Sequence, residues 1–321
     1  MRVLLFLGGL SLVVWVVSRQ DIPKLLQQVV SVQWGWYIVV LGWTLICHWM
    51  RALRWKMLLN EGGAELNTLT SYHCLMSGYF INFPTGKLGE AARCIFLNRK
   101  TGAEMGMSLG TVLVERVLDV LCLITVLLIS YLMYFREIYQ FVLEKMWDPL
   151  WSVLSSMPWW IWVLVVLSSL VFVVVFYLIL KRRSKKITWL SGLGRGMQTV
   201  WNLRFNTWLW VYTLAIWVLY FLMTYTWFFG MNVPGLGAKP GLALLVIGLG
   251  GIGRSLPVPG HGLGSYHFFA MSALLFGGVS STEAVMIPIV IHGGQTVFYL
   301  VAGSLSFLWV IASGAQKKPA Q

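Results

Sequence analysis

Residues 107–135 read MSLGTVLVERVLDVLCLITVLLISYLMYF. The run is longer than the roughly 20 residues a helix needs to cross a bilayer, yet it holds Glu115, Arg116 and Asp119. Ionisable groups in hydrocarbon are costly, so they turn towards a bundle interior or a wet cavity and pair there. Glu115 and Asp119 stand at i,i+4 and Arg116 and Asp119 at i,i+3, which puts them on one stripe of a helix. The stretch therefore reads as a membrane helix with an ionic face turned inward, either as glue within the bundle or as the wall of a cavity. Two acids against one base leave a carboxylate for another cation, with Arg93 and Arg254 as candidates on neighbouring segments.

The rest of the chain agrees. Of 321 residues 58% are hydrophobic and 11% charged, with a mean hydropathy of +0.75. Soluble domains carry about 25% charged residues, so a water-soluble enzyme and a secreted disulfide scaffold are both excluded. Cys47, Cys74, Cys94 and Cys122 have no paired spacing and read as apolar fillers. Residues 1–20 resemble a signal peptide in length but lack a small-x-small cleavage site, and read as a retained helix. Spans are expected near 3–18, 34–50, 107–135, 159–180, 207–230 and 284–312. Tryptophans at their ends (Trp34, Trp36, Trp147, Trp151, Trp159, Trp160, Trp201, Trp208, Trp210) form the aromatic belt of headgroup depth. The fold class is an all-α polytopic membrane protein, a single integral membrane domain over 1–321. It has six to eight spanning helices and one or two re-entrant, Gly/Pro-broken hairpins.

The net charge of +13 reads as the cytoplasmic excess of Lys and Arg that orients membrane helices, not as a nucleic-acid site. The loop 181–206, rich in Lys and Arg and free of acids, and the tail Lys317-Lys318 belong in the cytoplasm. The segments 136–148 and 231–240 belong outside. Basic residues flank 68–86 on both sides, Arg51, Arg54 and Lys56 before it and Lys87, Arg93, Arg99 and Lys100 after it. A segment so flanked is expected to dip in and return within 68–86, opening to the cytoplasm. By parity, 241–280 contains a second broken hairpin or extra short spans. Pro84-Thr85-Gly86-Lys87-Leu88-Gly89-Glu90 is similar to Pro259-Gly260-His261-Gly262-Leu263-Gly264-Ser265, as in the inverted repeats of transporters, whose broken helices meet near the midplane.

Site residues follow from these features. Arg93 is placed to grip a phosphate, with Glu90 one turn earlier fixing its rotamer; the alternative is a local ion pair. Arg254 ends a Gly-rich broken stretch from Gly248 to Gly264. The literal Gly248-x-Gly250-x-x-Gly253 is no dinucleotide fingerprint, because no βαβ unit surrounds it. His261, His267 and His292 are polar contacts for a headgroup, while a lone membrane histidine otherwise links helices. Pro84, Gly86, Gly89, Pro257, Pro259, Gly260, Gly262 and Gly264 form the gating backbone. His48, Arg51, Arg54, Trp55 and Lys56 are expected to snorkel at the end of a helix. No metal-ligand spacing and no catalytic order of residues occurs, so neither metal, cofactor nor enzymatic activity is expected.

Four motifs in order, Arg51-x-x-Arg54-Trp55-x-x-Leu58-Leu59, Gly89-Glu90-x-x-Arg93, Glu115-Arg116-x-x-Asp119 and Pro257-x-Pro259-Gly260-x-Gly262-x-Gly264, resemble the flippase-like membrane family, the transmembrane region of lysylphosphatidylglycerol synthase/flippase proteins. The resemblance implies a domain that moves lipids between leaflets, with Glu90, Arg93, Glu115, Arg116, Asp119 and 257–264 lining the path. His261 stands where the family often has glycine and His267 where many members have an acid. The soluble synthase domain of larger relatives is absent from these 321 residues. The expected function is translocation, across a bacterial inner membrane, of a lipid with an anionic phosphate headgroup, a polyprenyl phosphate included. The competing readings are a lipid-modifying enzyme and a partner in envelope lipid synthesis. Expected partners are membrane lipids, envelope-synthesis proteins or a second copy, without nucleic acid, and the C-terminus is expected in the cytoplasm.

Overall fold

The computed structural model describes Ser11, Ser18, residues 22–136, Pro158, and residues 188–256 and 258–313. The chain divides into two compact units, residues 1–130 with 192–321 and residues 131–191. Everything below concerns the first. The 159–180 span, the 137–148 link, Pro257, the basic residues 181–186 and the Lys317-Lys318 tail lie outside the described residues, as does the 3–18 span apart from Ser11 and Ser18.

Among the described residues the structure is helical, without strands. In order come α1 (Ile22–Val30), α2 (Trp36–Glu61), α3 (Thr68–Thr85), α4 (Leu88–Thr101), α5 (Met105–Met133), α6 (Thr188–Leu203) and α7 (Thr207–Gly230). A 3-10 turn (Leu236–Ala238) leads to α8 (Pro240–Ser255), α9 (Ser265–Phe276) and α10 (Ser281–Ala312). Helices α2, α7 and α10 are each long and apolar enough to cross a membrane, matching the spans expected at 34–50, 207–230 and 284–312. The exposed stripe Val297, Val301, Leu305, Leu308 and Ile311 on α10 follows helical spacing and suits contact with lipid. Trp34 and Trp36 are exposed at one end of the bundle; Trp201, Trp208 and Trp210 are exposed at the other.

Local signals set the ends of these helices. The side chains of Asn67 and Asn206 cap α3 and α7 by accepting from Thr70 N and Trp208 N, and Ser280 caps α10 by accepting from Glu283 N. Gly102 ends α4 in the left-handed conformation, and Pro240 opens α8 at a position where its missing N–H is not needed.

A pattern of long helix, hairpin, long helix occurs twice: α2, α3–α4, α5, then α7, α8–α9, α10. Helix α2 runs antiparallel to α7, with Gln33 N donating to Gly230 O at one end and Arg54 meeting Thr213 near the other. Helix α3 runs antiparallel to α10, from His73 against Ser306 to Tyr79 against Tyr299. The open end of the first hairpin, where Lys100 donates to Ser313, lies with the C-terminal ends of α2 and α10. The open end of the second, where Lys239 donates to Gly277 O, lies at the opposite end. The two tips approach each other inside the bundle. There Lys87 Nζ donates to Arg254 O at 3.0 Å and His261 Nε2 to Tyr79 O at 3.1 Å.

The similar segments 84–90 and 259–265 are these two tips. Each contains left-handed residues, Gly86 in the first and Gly260, His261, Gly262 and Gly264 in the second. One expectation is corrected: 68–86 does not turn back on itself. Helix α3 is continuous through Thr85, the turn falls at Gly86-Lys87, and α4 is the returning arm. Pro84 lies inside the last turn of α3, where its missing N–H leaves the Phe80 carbonyl without its helical donor shortly before the turn at Gly86. Consequently Lys87 marks the tip and Arg93 the inside of the hairpin, and only Arg99 and Lys100 remain at its open end.

The arms touch where side chains are absent. A Cβ on Gly89 would lie 1.9 Å from Gly78 O, and one on Gly253 would lie 2.6 Å from Ser265 O. Gly89→Ala is therefore expected to lower thermal stability in detergent by about 1–3 kcal/mol or to prevent folding. Gly42→Ala meets nothing within 4 Å and should shift stability by less than about 1 kcal/mol. Thermal unfolding of both variants, followed by the loss of the monodisperse peak, checks the contrast.

Candidate functional site

The ionic stripe of α5 meets α2 and α4. Arg54 of α2, fully buried, lies 2.8 Å from Asp119 and 3.6 Å from Glu115. Arg51, one turn earlier, lies 3.4 Å from Asp119 and donates to Tyr220 of α7. Arg93 of α4 donates to Glu115 and stacks its guanidinium 4.4 Å from the Trp55 ring centroid. Arg116 bridges Asp119 at 3.4 Å and Glu90 at 3.6 Å. Four arginines thus share three carboxylates, and each carboxylate has an arginine partner.

Above this network lies a cavity of about 530 Å³, bounded by both hairpin tips and by α2, α5, α7 and α10. Its wall carries the cations Arg51, Lys87, Arg93, Arg116 and Arg254 and the carboxylates Glu90 and Asp119. Helix α10 contributes His292, Gln295, Thr296 and Tyr299, a stripe at helical spacing. Tyr79 stacks on Tyr299 at 5.0 Å, and His261 stacks on the same ring at 4.7 Å. Several lining residues carry buried polar atoms without a hydrogen-bond partner among the described residues. They include Nε and Nη1 of Arg93, Nε of Arg51 and Arg116, Nε1 of Trp217, Nδ1 of His48 and His261, Nε2 of His292 and Oγ1 of Thr296. Buried polar groups are ordinarily satisfied, so their concentration around one cavity fits a polar ligand.

Most expected site residues converge here: Arg93, Arg254, Glu90, His261, His292, Arg116 and Asp119, with Gly86, Gly89 and Gly262. Glu115 does not line the cavity. It is fully buried behind Arg93 and Arg54 and acts through them. His267 also lies off the cavity, its ring 4.8 Å from His292. Pro84, Pro259, Gly260 and Gly264 shape the tips without lining the space, and Pro257 lies outside the described residues. Two expected pairings change. Arg93 takes Glu115, which bears out Arg93 as a candidate for the spare carboxylate of 107–135, and not Glu90, because the hairpin turns its face towards α5. Arg254 has no carboxylate within ion-pair reach among the described residues; its guanidinium lies 4.1 Å over the Tyr266 ring.

The snorkelling expected of His48, Arg51, Arg54 and Trp55 is overturned. All four are buried, and only Lys56 is partly exposed, donating to Thr68 Oγ1 at 3.4 Å. The signal was available: Val40, Thr44, Cys47, Arg51, Arg54 and Leu58 follow alternating spacings of three and four, and all are buried. Lys87, Tyr79, Trp217, Tyr220 and Gln295 joined the site only through tertiary structure.

A helical membrane protein built of two facing hairpins around a polar, cation-rich cavity is the class that this architecture defines. The chain matches the family described as the lysylphosphatidylglycerol synthase TM region over residues 2–303, and it belongs to that family. No curated protein and no solved structure matches it.

Removing one partner of a buried ion pair strands the other charge. Glu115→Ala is accordingly expected to cost about 3–5 kcal/mol. Arg195→Ala, which breaks the exposed Arg195–Glu104 pair, should cost no more than about 1 kcal/mol. Denaturation of the two variants side by side in the same detergent provides the comparison.

Proposed function

We propose that this protein translocates a lipid with an anionic phosphate headgroup across the membrane and leaves the lipid chemically unchanged. One observation carries the reading: the cavity where the two hairpin tips meet has cations from both halves of the molecule, Lys87 and Arg93 from the first and Arg254 from the second. A phosphate cannot cross hydrocarbon unaided because its water is too costly to lose. Arginine and lysine donors replace that water with charge-assisted hydrogen bonds. Because the two hairpins enter from opposite ends of the bundle, small movements of either tip would expose the phosphate to one side or the other, as in transporters with broken helices. In this reading Arg93 and Arg254 bind the phosphate, Glu115 and Asp119 hold the arginines in place, and the glycine-rich tips act as gates. The membrane is the bacterial inner membrane with the C-terminus in the cytoplasm, and membrane lipids, a second copy and envelope-synthesis proteins are the partners.

Arg254 is the cleanest probe, since no carboxylate among the described residues depends on it. In liposomes carrying fluorescent phosphatidylglycerol, Arg254→Gln is expected to slow translocation by about tenfold or more, the loss of one charge-assisted contact, with the thermal stability of the parent protein. Undiminished translocation in this variant removes the phosphate contact. A covalently altered lipid in the extract would point to a lipid-modifying enzyme instead.

A further inference from the structure

The charges around the cavity distinguish between headgroups that all contain phosphate. We infer that the site selects lipids whose headgroup, beyond its phosphate, is uncharged and rich in hydroxyls, a polyol or sugar, and discriminates against headgroups that carry an ammonium group. The inference rests on the reading of the cavity as a lipid-headgroup site.

An ammonium is held best by a carboxylate with a free oxygen. Asp119 is already held by Arg51, Arg54 and Arg116, and Glu115 is closed off behind Arg93. Glu90 is the least tightly paired, 3.6 Å from Arg116, and it sits one turn from Lys87 at the same tip. An amine approaching Glu90 would meet both of those cations. A cavity with five cations and two engaged carboxylates on its wall therefore favours a phosphate and repels an ammonium attached to it.

The neutral part of the wall suits hydroxyl groups. His261 donates its Nε2 proton to Tyr79 O, so the unpartnered Nδ1 of the neutral ring can accept from a hydroxyl. Thr296 Oγ1 and the Trp217 indole N–H are likewise unpartnered, and Gln295 adds an amide. Together they offer both donors and acceptors, whereas an ammonium, with donors only, could use just the acceptors.

The test compares phosphatidylglycerol, phosphatidylethanolamine and lysylphosphatidylglycerol of identical acyl chains. Binding to the full chain in detergent is read by native mass spectrometry, and movement is read in liposomes. Phosphatidylglycerol is expected to bind at least about tenfold more tightly than lysylphosphatidylglycerol, with phosphatidylethanolamine between them. Gln295→Glu, which places a fresh carboxylate on the neutral wall, should narrow or reverse that ratio. Glu90→Gln, which leaves Arg116 its bond to Asp119, should preserve the order. Equal or tighter binding of lysylphosphatidylglycerol overturns the inference, and so does a ratio unmoved by Gln295→Glu or amine-lipid binding that falls in Glu90→Gln. Movement is scored separately. Selective binding without movement keeps this inference and defeats transport, while movement without selectivity does the reverse.

Discussion

Burying arginine where a lipid-embedded chain has little water is the constraint on which the structure turns. Arg51, Arg54 and Arg93 are buried, and none could remain so without Glu115 and Asp119 within a few ångströms. That requirement ties α2, α4 and α5 together at fixed register, because three helices must deliver their charges to one place. The benefit is positional. A buried ion pair stabilises little against an apolar replacement, but it holds guanidinium groups at the edge of a cavity in a defined orientation. Arg93 shows the consequence: its pairing with Glu115 and its stacking on Trp55 leave two other nitrogens without a hydrogen bond.

The hairpins solve a second problem. Non-helical backbone within a membrane is tolerated only where protein or a wet cavity covers it. Each tip here is covered by the other. The Gly86-Lys87 turn lies against Arg254, and His261, within the left-handed stretch Gly260 to Gly262, lies against Tyr79 and Tyr299. His261 adopts a positive φ that few non-glycine residues accept. Its ring stack and its bond to Tyr79 O hold it there and carry the strain across the boundary between the two hairpins.

The cavity therefore belongs to neither half alone. The first half supplies the ionic network, His48 and Lys87; the second supplies Arg254, His261, His292 and the neutral wall of α10. The chain belongs to a lipid-associated membrane family.

Much of this was legible in the sequence. Hydropathy and length gave the membrane class, the spans of α2, α7 and α10 and the long helix α5, because a helix in lipid must be apolar over a fixed distance whatever its neighbours are. The charges inside 107–135 announced an inward face, and the repeated Pro-x-x-x-Leu-Gly pattern marked both hairpin tips. Apart from Arg93, a candidate from the sequence for the spare carboxylate of 107–135, pairing was decided by the tertiary fold. Periodicity shows which face of α2 or α4 a residue occupies but not which helix covers that face, so Arg51 and Arg54 passed for surface anchors and Glu90 for the partner of Arg93. Nor could sequence spacing bring Lys87 beside Arg254, or Tyr79 beside His261. Those contacts join residues more than 160 positions apart and exist only because two hairpins entering from opposite ends meet in the middle.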